Sequence, residues 1–147
     1  NIRIGLNSRL DTLQAAVLLA KLDFLEEELV RCDQIAAEYT GQLAGVVKVP
    51  VIREGMRSAW AQYTICLENT KEREYLMASL KEAGIPTAVY YKKPMHLQQA
   101  FAGHLIEAVP CVQTEDICGR CVSLPMHPYL EEEQIEAVCK QITSLRK

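Results

Sequence analysis

The sequence predicts an α/β chain of the α+β kind: a long N-terminal helix, then a small, mostly antiparallel sheet with helices over one side. Three observations predict it. An uninterrupted apolar stripe of helical period runs through the first third of the 147 residues. A strict alternation of side chains follows at Ser58 to Leu67, and a second helical stripe closes the chain from Ile135 to Leu145.

The first element spans Leu10 to Leu43, or about 9–44 with its flanks. Leu18, Leu22, Leu25, Leu29, Cys32, Ala36, Tyr39 and Leu43 step by four and three, no Pro interrupts them, and Gly41 and Gly45 mark the end. Ala15 to Ala20 is apolar on every side, which predicts burial all round. One helix of that length is on the order of 50 Å long, against a radius of gyration of about 15 Å for a domain of this size. It must therefore bend, protrude, or pack on protein outside this chain. A coiled coil is the alternative, but Glu26 to Glu28 lack the flanking partners a zipper needs. Val46 to Val51 is β-branched and strand-like up to Pro50. In Ser58 to Leu67, Ala61, Tyr63, Ile65 and Leu67 share one face, and Trp60, Gln62, Thr64 and Cys66 the other. Lys71 to Ala83 is an amphipathic helix stopped by Gly84 and Pro86. Thr87 to Tyr91 reads as a short strand, His96 to Gly119 as loop with short helical turns, and Val122 to Leu124 as a brief strand. Pro125 and Pro128 bracket a tight turn before the last helix, with Ile135, Val138, Ile142 and Leu145 on one face.

A chain that is 49% hydrophobic and 24% charged, with a net charge of -3, can build its own core as one soluble domain. Its scattered cations give no footprint for nucleic acid or anionic lipid. The longest apolar run, Ala15 to Ala20, is far short of a membrane span. The sequence shows no basic stretch followed by an apolar run and a cleavage site, so secretion is not expected and a reduced, cytoplasmic compartment is the expectation. The first residue is Asn1 rather than Met, and the chain is read as a piece of something longer. Among six cysteines, Cys32, Cys66 and Cys139 fall on apolar sides as buried thiols do. Cys118 and Cys121 have metal or redox spacing, but a zinc site needs further ligands, and Cys111 and His104 are loosely placed. No metal is expected.

Three segments concentrate polar groups. Gly5 to Asp11 precedes the long helix: Asn, Ser and Asp are ordinary N-caps, while an amide and a guanidinium beside a helix start also suit a phosphate or carboxylate. Tyr90 to His96 brings two phenols, two ammonium groups and an imidazole to a strand end, where ligand-facing side chains are commonly mounted. A solvated turn with packed tyrosines is the plainer alternative. In Leu124 to Tyr129 the prolines fix a rigid turn, and His127 reads as structural. There is no glycine-rich phosphate loop, zinc-protease helix or nucleophile elbow. The chain looks like half of an active site.

Gly5, Asn7, Arg9-Leu10-Asp11, Leu13-Gln14-Ala15-Ala16 and Lys21-Leu22 resemble the opening of the C-terminal part of the DegT/DnrJ/EryC1/StrS family of pyridoxal-phosphate-dependent nucleotide-sugar aminotransferases. The likeness continues through Arg31, Tyr39, Tyr63, Gly84-Ile85-Pro86-Thr87, Tyr91, Pro94-Met95-His96 and Ser123 to Tyr129. The wording around Arg9 and the Leu-Pro-Met-His-Pro-Tyr ending are most similar to the branch that aminates UDP-linked 3-keto-hexuronic acids. The resemblance implies a fold type I homodimer with a shared active site. Residues 1–147 would be its small C-terminal domain with the leading interdomain helix, and the pyridoxal-phosphate lysine domain would lie upstream, outside this chain. The chain alone would then lack transaminase activity and hold no catalytic residue. By the same resemblance, Asn7 reaches the cofactor phosphate of the partner subunit and Arg9 faces the substrate, where a guanidinium can grip a sugar carboxylate bidentately. Tyr90, Tyr91 and His96 line the sugar-nucleotide pocket. Tyr90 stands where relatives of this branch often have His, and Lys92 where Pro is usual. The implied reaction moves an amino group, with glutamate as the expected donor, to a UDP-keto-sugar for surface polysaccharide or amino-sugar synthesis. Two other readings stay open: a non-catalytic regulatory or dimerisation module of the same fold, and an unrelated helical interaction domain using the Leu18 to Leu43 stripe.

Overall fold

A computed structural model describes residues 2–102 and 110–146; His104, weighed above as a metal ligand, lies outside them. The expected single helix is two: α1 (Thr12–Leu22) and α2 (Leu25–Leu43), separated by a turn at Asp23 and Phe24. The physical reason lies in the acids. Glu26, Glu27 and Glu28 fill the first turn of α2, where negative charge is favoured by the positive end of a helix dipole. Asp11 caps α1 by accepting from the Leu13 amide at 2.8 Å, as its residue type suggests.

The stripe is split as well. On α2, Cys32, Ile35, Ala36, Tyr39 and Leu43 are buried. On α1 nothing is: Val17, Leu18, Leu19 and Leu22 are 49–67% exposed, so the all-round burial expected for Ala15 to Ala20 is absent within this chain. Because α2 spends its apolar face on α5, Leu18 to Leu43 is no continuous free seam for a partner helix.

Among the described residues the sheet is one antiparallel ladder of β1 (Tyr63–Cys66) and β2 (Cys121–Leu124), with Cys66 opposite Cys121 and Thr64 opposite Ser123. The strands expected at Val46 to Val51 and Thr87 to Tyr91 shrink to one bridge to the ladder on each side, Lys48 with Cys66 and Ala88 with Ser123. Pro50 and Pro86 lack the amide that a longer ladder would need. The alternation of Tyr63, Ile65 and Leu67 inward holds, each at most 2% exposed. It does not reach back to Trp60, whose φ of 46° lies in the left-handed region and turns the chain before β1.

Three further helices lie among the described residues: α3 (Thr70–Glu82), α4 (Val112–Arg120) and α5 (Glu132–Ser144). The loop expected from His96 to Gly119 thus contains a helix, α4, besides 3-10 turns at Met95–Leu97 and Gln99–Phe101. Only Cys118 of α4 is buried, so its short sequence shows no apolar stripe to read. The core joins Ile35, Tyr39 and Leu43 of α2 to Ile65, Leu80, Val122, Ile135 and Ile142, all fully buried.

Candidate functional site

Two of the three polar segments flank the sheet bridge at Ala88. The chain leaves that bridge through Tyr90 and Tyr91 and enters the loop at Lys92 and Lys93. A cleft of about 460 Å³ opens there, lined by both tyrosines, both lysines, Gln98 and Gln99. Gln98 donates from Nε2 to the Lys93 carbonyl at 3.1 Å, closing the loop on itself. Neither lysine makes an ion pair among the described residues. Two uncompensated ammonium groups, two phenols and two amides suit an anionic ligand rich in hydroxyls.

Beneath the tyrosines lies a second, mostly apolar cavity of about 320 Å³, walled by Thr64, Cys118, Cys121 and Ser123 among others. The Thr64 and Ser123 hydroxyls satisfy each other at 2.8 Å. Burial, then the neighbouring thiols of Cys66 and Cys118, pushes the Cys121 thiol up, and a raised thiol is a poor nucleophile and a poor metal ligand. Among the described residues no three His, Cys, Asp or Glu side chains gather as a metal site, and Cys118 and Cys121 are free.

His96 sits on the first 3-10 turn behind the buried Pro94. Its ring keeps only 17% of its surface exposed, and Nε2 lies 3.0 Å from the Glu115 carboxylate on α4. Sequence reasoning missed Glu115 because the pairing crosses nineteen residues and α4 carries no motif.

Leu124 to Tyr129 forms a third wall, and His127 lines a cleft of about 250 Å³ with Tyr90 and Gln62. The turn is fastened to α2 from three points. Tyr39 donates from Oη to the Pro125 carbonyl at 3.0 Å, Arg31 from Nη2 to the Leu130 carbonyl at 2.9 Å, and Tyr129 from Oη to Glu28 at 2.5 Å. Arg31 and Tyr39, singled out by the family resemblance, thus hold the turn in place.

Tyr90 and Tyr91 share one cleft and His96 stands on its loop. Asn7 and Arg9 do not join them: both are exposed on the irregular segment ahead of α1. Neither side chain has a hydrogen-bond or ion-pair partner among the described residues. An unpaired amide and an unpaired guanidinium are donors that fit the oxygens of a phosphate or a carboxylate.

Residues 1–143 match the DegT/DnrJ/EryC1/StrS aminotransferase family. The chain is 43% identical over 145 residues to a UDP-2-acetamido-2-deoxy-3-oxo-D-glucuronate aminotransferase of Pseudomonas aeruginosa, covering 98% of this chain and 39% of that protein. It superposes on a DegT DnrJ EryC1 StrS aminotransferase from Brucella abortus with a TM-score of 0.86 and 47% identity, over 99% of this chain and 38% of that one. It also superposes on NtdA from Bacillus subtilis, solved with bound cofactor PMP, with a TM-score of 0.81 and 27% identity, over 99% and 34% of the two chains. The chain therefore spans about two fifths of the length of the curated relative, 39% of it.

Proposed function

The chain belongs to the DegT/DnrJ/EryC1/StrS aminotransferase family, and from that premise we propose that it is the small C-terminal domain, with its leading helices, of a pyridoxal-phosphate-dependent nucleotide-sugar aminotransferase. The substrate we propose is a UDP-linked 3-keto-hexuronic acid, with glutamate as amino donor and a cytoplasmic homodimer as the working form. The observation that carries this reading is the cleft where Tyr90, Tyr91, Lys92 and Lys93 converge beside His96. Its phenols and ammonium groups suit a sugar nucleotide, which presents oxyanions and hydroxyls together.

Within that proposal the chain's own residues bind and orient. Pyridoxal phosphate, when bound, supplies the electron sink. Asn7 holds its phosphate across the subunit boundary through the side-chain amide. Arg9 meets the sugar carboxylate with two parallel N–H donors, a geometry that Lys cannot copy. Tyr90, Tyr91 and His96 fix the sugar nucleotide, and the Leu124 to Tyr129 turn keeps the neighbouring wall rigid. The exposed apolar surface of α1 is what a helix against a larger domain would carry. No helix among the described residues is long and apolar enough to cross a membrane.

The test is Arg9→Lys in the complete enzyme, assayed on a keto-hexuronic and a neutral keto-hexose nucleotide. We expect kcat/KM to fall about tenfold or more on the acidic sugar and little on the neutral one, because the lost bidentate pair touches only the carboxylate. Equal losses on both would remove the carboxylate role.

A further inference from the structure

Among the described residues, Glu115 is the carboxylate that pairs with a side chain of the candidate cleft's loop. It lies in the first turn of α4, where its backbone amide donates to the Cys111 carbonyl at 3.0 Å and its charge is favoured by the helix dipole. The next acid, Asp116, is committed elsewhere: it accepts from Arg120 Nε at 2.8 Å, which lowers its pKa. Glu115 turns instead to His96, with Oε1 3.0 Å from Nε2. A carboxylate offers only lone pairs, so the ring nitrogen facing it must carry the hydrogen. In the neutral ring that leaves Nδ1 bare. His96 stands between two pairs of cleft-lining residues, Lys92 and Lys93 before it and Gln98 and Gln99 after it.

We propose that Glu115 is a positioning residue that locks His96 as the Nε2–H tautomer, so that Nδ1 is an acceptor for a hydroxyl or N–H of the ligand. The ligand's identity rests on the nucleotide-sugar reading above; the tautomer does not. A bare Nδ1 repels phosphate and carboxylate oxygens and accepts from hydroxyls or an imide. The two lysines and His96 therefore divide the ligand: ammonium groups take its anions, and the imidazole reads a donor.

Two measurements test it. The first uses the full chain labelled with 15N-histidine and reads ring tautomers by long-range proton–nitrogen correlation. The wild-type His96 ring should be Nε2–H alone. Glu115→Ala should give a tautomer mixture, and Glu115→Gln, which keeps a carbonyl acceptor, should largely restore the single form. A wild-type Nδ1–H ring, or an Ala variant with the tautomer unchanged, would overturn the proposal. The second uses the complete enzyme. Glu115→Ala should raise KM for the nucleotide sugar about tenfold while kcat stays within about twofold, with recovery in Glu115→Gln. His96→Asn, which keeps a polar atom near Nδ1, should lose less affinity than His96→Gln. A fall in kcat at constant KM, or the reverse order of Asn and Gln, would also overturn it. A complete protein with no transaminase activity would sink the aminotransferase reading, and the tautomer measurement would still decide the role of Glu115.

Discussion

Tyr39 shows how much a single side chain can fix. It is fully buried on α2, its ring is 5.0 Å from that of Tyr63, and its hydroxyl is the donor for the Pro125 carbonyl. Tyr39→Phe removes only that oxygen. The bare carbonyl should cost about 1–2 kcal/mol in urea unfolding, with the largest amide shifts at Leu124 to Tyr129. No loss of stability would mean that the turn is held by its prolines alone. Burial at this residue was legible from its place in a helical stripe, but the bond to Pro125 was not, since nothing local links positions so far apart. Trp60 was less legible still. Its left-handed backbone is a conformation that alternation argues against. It is stabilised by partners only the fold provides: the indole N–H donates to Asp33 at 2.5 Å, and the ring lies 5.7 Å from Tyr63.

At the scale of elements, punctuation is more legible in the sequence than continuity. Gly84 reads as the stop of α3, and it is one: φ is 74° there, its amide donates to the Lys81 carbonyl at 3.0 Å, and Ile85 donates to Leu80 at 2.8 Å. A Cβ at Gly84 meets no atom within 4 Å, so Gly84→Ala carries only the conformational term. We expect a loss of about 1–2 kcal/mol in thermal or urea unfolding, and a larger loss would mean that α3 itself shifts. Periodicity does not show the break between α1 and α2, because the apolar step carries on across it; the local signal is the run of glutamates in the first turn of α2. Where strands were expected on both sheet edges, β-branched composition was present but the prolines limited each to one bridge. The cleft depends on that shortening, since Tyr90 and Tyr91 leave the sheet directly after the bridge at Ala88.

For the molecule as a whole, the core is gathered around α2, α5 and the ladder, and it encloses ionisable groups whose protonation burial shifts. The Cys139 thiol is pushed up from 9.0 to about 11, first by burial and then by the Glu38 carboxylate. The Tyr39 phenol is raised too, first by burial and then by Cys139 and Tyr63. A folded-state value above the unfolded one means stability that is fully present below the unfolded value and lost as pH rises through the folded one. For Cys139 that window runs from about 9 to about 11, and the loss across it should be about 3 kcal/mol. Urea midpoints measured across this range should fall, and Cys139→Ala should flatten the early part of the fall. An identical curve in the variant would show that this thiol does not carry the effect.

The exposed helix at the front of the chain has a temporal consequence. α1 has eleven residues and no buried side chain, and a helix that short is marginal in water when nothing packs against it. Its opening free energy is therefore set locally, whereas amides of α2 and α5, enclosed by the core, are released only when the whole structure opens. One polypeptide thus runs two clocks, a fast one in its first two dozen residues and a slow one behind them. Any surface that covers α1 slows the fast clock towards the pace of the other.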